Sequence, residues 1–69
     1  MRYDYTGVTE VRHDKEAGEL VVFAGGRRYV VRGVETLYVK SAAFVDADGT
    51  FHFNRARVSL DGREAMVGD

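Results

Sequence analysis

The 69 residues contain no cysteine, so no disulfide staples the chain, and it offers neither a thiolate metal ligand nor a thiol nucleophile. Proline and tryptophan are absent as well. Without proline there is no stiff linker, and eight glycines supply many sites for tight turns instead. No apolar run is long enough to cross a bilayer as a helix. The opening Met1-Arg2-Tyr3-Asp4-Tyr5 lacks the apolar stretch of a signal peptide, so the expected compartment is the cytoplasm. Neither sign of charge dominates: the net charge is −1, which excludes a polyanion mimic or a general polycation.

What is present is strand composition. Valine occurs eleven times, isoleucine never and leucine three times, beside four tyrosines and four phenylalanines. β-Branched and aromatic side chains suit a pleated, half-buried surface. The length fits a single domain spanning residues 1–69. A chain this short buries only about 60% of the surface it exposes when unfolded, so an efficient β core or association with a second copy must supply stability. The initial Met1 suggests a self-contained small product.

The strongest local signal lies in the stretch from Thr36 to Leu60. Asp46-Ala47-Asp48-Gly49 separates two apolar runs, and Asp-Gly between such runs marks a hairpin. With Asp46 facing Thr50, the pairs that follow are Phe44/His52, Val45/Phe51, Ala43/Phe53 and Ala42/Asn54. Further down come Val39/Arg57, Leu37/Ser59, Lys40/Ala56, Tyr38/Val58 and Thr36/Leu60. Phe51 and Phe53 then point to one side and Ala56, Val58 and Leu60 to the other. A ribbon that exchanges its buried face midway bends or bulges.

Two further two-residue turns are expected. Gly25-Gly26 joins Glu19–Ala24 to Arg27–Val34, with Ala24 opposite Arg27, Val22 opposite Tyr29, Leu20 opposite Val31 and Glu19 opposite Arg32. The last pair, acid against base, supports this register. Asp61-Gly62 sends Arg63–Val67 back, with Val58 opposite Ala65. Residues 3–12 alternate poorly and read as a strand with a bulge at Gly7. A short helix over 35–43 competes with a strand there, because Val34, Leu37, Tyr38, Ser41, Ala42 and Val45 also fit helical spacing. The β-branched and aromatic content favours the strand. The expected fold is mainly β, a small antiparallel meander of five to six strands closing as a barrel or sandwich.

Few residues carry catalytic chemistry. Asp46-x-Asp48-Gly49 opens like a calcium loop, but the twelfth position, which should hold a bidentate glutamate, is Arg57. His13 and His52 have no histidine or cysteine at ligand spacing, so no metal or other cofactor is expected. Ser41 and Ser59 have no histidine beside them in the expected register, and a core of this size leaves little room for a water-excluded pocket. The chain is therefore expected to bind and not to catalyse.

Two binding surfaces stand out. Val21, Phe23, Arg28, Val30 and Arg32 share the reverse face of the second hairpin and combine an apolar centre, an aromatic ring and an arginine rim. If the sheet is open this face meets a partner; if it closes as a barrel or sandwich, the same residues are core. The alternative is single-stranded nucleic acid held by Arg27, Tyr29, Phe51, Arg55 and Arg57, since cations with interleaved aromatics suit small β barrels. The length and Phe51-His52-Phe53 resemble cold-shock domains, although their Lys-Gly-Phe-Gly-Phe stretch is absent and Asn54-Arg55-Ala56-Arg57 does not continue their second motif. In size and plainness the chain also resembles small phage and mobile-element proteins that block host defence machines. That resemblance implies an inhibitor or adaptor occluding a surface of a larger protein or nucleoprotein complex, with a homodimer as a further option.

Overall fold

The computed structural model describes residues 2–68, and side chains from residue 4 onward. Seven strands form one sheet: β1 (Arg2–Asp14), β2 (Glu19–Ala24), β3 (Arg27–Arg32), β4 (Thr36–Val39), β5 (Phe44–Val45), β6 (Phe51–Asp61) and β7 (Glu64–Gly68). There is no helix among the described residues, so 35–43 is strand and bend. The sheet runs β3-β2-β1-β6-β7-β4, with β5 beside β6, and curls into an open half-barrel. The small-meander expectation holds, with one departure described below.

Inside the curl lies a core dominated by valine. Among the seven largest side chains with essentially no exposure, Leu20 stands with Val8, Val11, Val22, Val34, Val58 and Val67. Valine suits this place because its branched Cβ fixes χ1 in an extended backbone and so loses little entropy on packing. Each such side chain contributes about 1.5–3 kcal/mol of transfer free energy. Tyr5, Tyr29, Val31, Leu37, Val39 and Phe51 are half-buried against that core.

The second hairpin forms in the expected register at every position. Ala24 faces Arg27, Val22 faces Tyr29, Leu20 faces Val31 and Glu19 faces Arg32. Gly25 and Gly26 take φ of 59° and 77°, the two positive angles a two-residue turn needs to match strand twist. The Glu19 carboxylate lies 3.3 Å from the Arg32 guanidinium.

Gly7, at φ 66°, begins the irregular part of β1. The register against β6 shifts between Tyr5 and Val8 and again between Val8 and Glu10. As a result Tyr5, Val8 and Val11 all reach the core, a spacing of three that a regular strand does not produce. The poor alternation of residues 3–12 is the trace of these bulges. The Thr9 hydroxyl donates to the Phe23 carbonyl at the shifted position (3.5 Å). β6 has the matching feature: Phe51 and Phe53 face inward, then Ala56, Val58 and Leu60. The change of face falls at Asn54-Arg55, where a step of four along β6, from His52 to Ala56, matches a step of only two along β1, from Glu10 to Val8.

The tip of the 36–60 stretch pairs as expected, Phe44 with His52 and Val45 with Phe51. The rest of that ribbon does not form, from Ala43/Phe53 and Ala42/Asn54 through Val39/Arg57, Leu37/Ser59, Lys40/Ala56 and Tyr38/Val58 to Thr36/Leu60. A strand has two edges, and the lower half of β6 has both taken. β1 holds one, from Arg2 opposite Asp61 to Ala56 opposite Val8. β7 holds the other, folded back by the turn after Asp61. β4 therefore pairs with β7, and in parallel, from Thr36 opposite Glu64 to Val39 opposite Val67. The turn itself is Gly62-Arg63, so Val58 lies opposite Val67 and Ala65 opposite Leu60, a correction of two residues.

To reach β4 the chain crosses from the β3 side of the sheet to the β7 side through residues 33–35. Val34 plugs the core there and its amide donates to the Gly18 carbonyl (2.9 Å), while the Glu35 and Thr36 amides donate to the Arg63 carbonyl (2.8 and 3.2 Å). His13 Nε2 donates to the Val34 carbonyl at 2.8 Å. A helix over 35–43 would have left the β7 edge without these donors.

Candidate protein-docking face

Because Leu20, Val22 and Ala24 point into the core, Val21 and Phe23 point outward, and the pairing of neighbouring strands carries this alternation across the sheet. One outer row runs Arg28, Phe23, Glu10, His52, Phe44 across β3, β2, β1, β6 and β5. The next row is Val30, Val21, Arg12, and the one below it Arg32, Glu19, Asp14. The five residues singled out for protein binding, Val21, Phe23, Arg28, Val30 and Arg32, are thus side by side on the convex surface and outside the core. Val30 is 41% exposed, Val21 and Phe23 are half-buried, and Arg28 and Arg32 are exposed. Arg12 and Arg28 make no ion pair with another described residue, whereas Arg32 is engaged by Glu19.

The far end of the first row is tied together by polar contacts. His52 Nε2–H donates to Asp46 Oδ2 at 2.8 Å, and its Nδ1 lies 3.7 Å from Glu10 Oε1. Phe44, 58% exposed, stacks on the imidazole with centroids 4.3 Å apart and planes 7° apart. The other oxygen of Asp46 accepts from the amides of Asp48 (2.9 Å) and Thr50 (3.1 Å). The hydrogen bond from His52, then that from the Thr50 amide, hold the Asp46 carboxyl below its ordinary pKa of 3.8. Gly49, at φ 82°, closes the turn by donating to the Asp46 carbonyl (3.0 Å). Asp46 therefore spends its oxygens on the turn, and no cluster of three metal-ligating side chains occurs among the described residues.

The residues proposed for nucleic acid are split between surfaces. Tyr29 lies on the inner side against Tyr5, with ring centroids 4.9 Å apart, and Phe51 also packs on the core. Arg27, Arg55 and Arg57 are exposed, with Arg57 outward between the buried Ala56 and Val58. Arg57 is on the side of the sheet opposite Tyr29 and Phe51, whereas Arg27, facing Ala24, shares their inner side.

The sequence did not single out Glu10, Arg12, Phe44 or His52 as members of the docking face. The Phe44/His52 pair was available from the Asp46 turn. Glu10 was hidden because the two shifts in β1 scramble which of its residues point outward. On the other half of the sheet, Tyr38 and Met66 are outward and 49% and 43% exposed. Beside them Ser59, Asp61, Glu64 and Met66 line a shallow dish of about 200 Å3. No helix of the described residues is long and apolar enough to cross a membrane. No protein family, curated protein or solved structure matches this chain.

Proposed function

We propose that this chain is a small non-catalytic protein-binding module that covers a surface of a larger protein or nucleoprotein complex in the cytoplasm, acting as an inhibitor or adaptor. The observation that carries this is the outer face of β2 and β3. Val21, Phe23 and Val30 form an apolar centre on the outside of the sheet, with the unpaired Arg12 and Arg28 at its margin. Aromatic and arginine anchors at an apolar centre supply most of the affinity in protein interfaces. Phe44 continues the same row, so the contact is long and flat, which suits steric occlusion and not substrate enclosure. The partner that fits is apolar at its middle, with carboxylates placed to meet Arg12 and Arg28.

The test is a tagged chain used to recover partners from its own host, in parallel with Phe23→Ala/Arg28→Glu. A stoichiometric partner lost with the double variant, while far-UV circular dichroism stays unchanged, is the expected result. Equal recovery on both chains overturns the assignment of this face. Fluorescence anisotropy with short oligonucleotides at two salt concentrations addresses the nucleic-acid alternative: micromolar, salt-sensitive binding would displace the protein-binding reading.

A further inference from the structure

β3 ends the sheet, and its second edge carries no strand. A two-residue hairpin closes on a hydrogen-bonded pair, here Ala24 with Arg27, and such pairs alternate along the ladder. Arg27, Tyr29 and Val31 therefore bond to β2. The N–H and C=O groups of Arg28, Val30 and Arg32 point away from the sheet. Proteins usually blunt such an edge with a proline, a bulge or an inward charge. β3 has no proline, and its register against β2 is unbroken over six residues. Its three arginines, charged side chains on the edge, blunt it in another way.

Those arginines select the occupant. Two copies pairing antiparallel through β3 put like charges together in either central register. Centred on Val30, Arg28 meets Arg32 of the second copy; centred on Tyr29, Arg28 meets Val30 and has the second copy's Arg28 and Arg32 as diagonal neighbours. Such pairs are destabilising. An acidic strand meets the opposite situation. Arg32 is already engaged by Glu19, while Arg27 and Arg28 make no ion pair with a described residue. The demand for negative charge thus sits at the Arg27 end. The inner side of the same rim presents Tyr29 and Val31, half-buried against the core, and Leu37 and Val39 present the same kind of surface on the β4 rim. β4 runs parallel to β7, and β7 and β3 both run parallel to β1 through intervening antiparallel partners. The two rims therefore point the same way, and one added strand can be antiparallel to both.

We propose that the free edge of β3 is a strand-addition site that takes an extended segment of a partner protein, antiparallel to β3, with apolar residues opposite Tyr29 and Val31 and carboxylates toward its C-terminal end opposite Arg28 and Arg27. Main-chain pairing supplies the affinity and the alternate side chains the selectivity. The site uses the backbone edge of β3 and shares Arg28, Val30 and Arg32 with the convex face, but it does not need the side chains of Val21 and Phe23.

The probe is the capped hexapeptide Thr-Val-Thr-Val-Glu-Glu, compared with Thr-Val-Thr-Val-Lys-Lys, read by amide hydrogen exchange and by NMR titration of the intact chain. The acidic peptide is expected to slow exchange at Arg28, Val30 and Arg32 selectively, and the basic one to bind about tenfold more weakly or less. Arg27→Glu/Arg28→Glu should reverse that preference. Val30→Pro, which removes one edge N–H where a solvent-facing strand tolerates proline, should abolish both. Phe23→Ala should leave peptide binding unchanged, which separates this site from the convex face. Equal binding of the two peptides, or protection outside β3, overturns the proposal. Protection of the same amides that grows with protein concentration in the absence of peptide also overturns it, because the occupant is then a second copy.

Discussion

The β2–β3 and β5–β6 hairpins begin from comparable turn signals and are held by different forces. Gly25-Gly26 joins two six-residue strands whose inner side, Leu20, Val22, Ala24, Tyr29 and Val31, lies in or against the core. The Asp46–Gly49 turn follows β5, two residues long and exposed at both. There the carboxylate of Asp46, the imidazole of His52 and the ring of Phe44 hold the tip. One hairpin is stabilised by water leaving apolar surface and the other by directional polar contacts, so the two should fail under different perturbations.

Leu20→Ala should have the largest effect. Its side chain is fully enclosed, and emptying such a position costs about 2–5 kcal/mol. For a domain of this length that is a large share of the total stability, so urea denaturation should show a strongly lowered midpoint or no folded baseline. Gly26→Ala should follow. A Cβ there meets no atom within 4 Å, but φ is +77°, and an alanine in that region costs about 1–2 kcal/mol, read in the same titration.

Gly68→Ala tests the parallel pairing of β4. A Cβ on Gly68 would stand 2.8 Å from the Lys40 Cβ, so the end of β4 must move. The Lys40 amide, which donates to the Val67 carbonyl at 2.8 Å, should then exchange faster while β2 amides keep their protection.

Asp46→Asn should act on the tip alone, raising exchange at Asp48 and Thr50 with little change in the global urea midpoint. Acid gives the same comparison without a mutation. Because the carboxyl is held below 3.8 in the folded chain, the unfolded form takes up the proton first as pH falls. The tip therefore keeps its stabilisation above pH 3.8 and loses it as pH drops through the lower folded value. NMR between pH 7 and 2 should show the tip loosening before the β2–β3 amides change. The smallest effect is expected from Arg32→Gln. The exposed guanidinium gains less than about 1 kcal/mol from Glu19, and salt should erase the difference.

The same contrast explains what could be read before any coordinates. A tight turn fixes the register of the residues beside it, and the opposed Glu19 and Arg32 supported one such register, so the β2–β3 register was legible, while the second strand, expected to run to Val34, ends at Arg32. The change of buried face along β6 was visible because Phe53 and Ala56 differ in parity. Neither feature reveals who occupies a strand's second edge. Leu37 and Val39 alternate identically whether they pair antiparallel with β6 or parallel with β7, and a parallel partner leaves no turn in the sequence to announce it. Gly7 hinted at a bulge, but two successive shifts place Tyr5, Val8 and Val11 together, and that spacing is foreign to the alternation of a strand. Val21, Phe23 and Val30 do share one face, as their alternation required, while its outward position depended on the direction in which the sheet curls.

Of the seven strands, β1 is synthesised first and lies at the middle of the sheet, and its longest partner, β6, is the sixth. Until residues near Asp61 emerge, β1 can recruit only β2 and β3, and the sheet-closing ladder from Arg2/Asp61 to Val8/Ala56 must wait. Pairings this distant along the chain slow the search for the native state. Synthesis therefore passes through a stage in which Val8 and Val11 have a partner on one side only, a kinetic vulnerability that the finished molecule no longer shows.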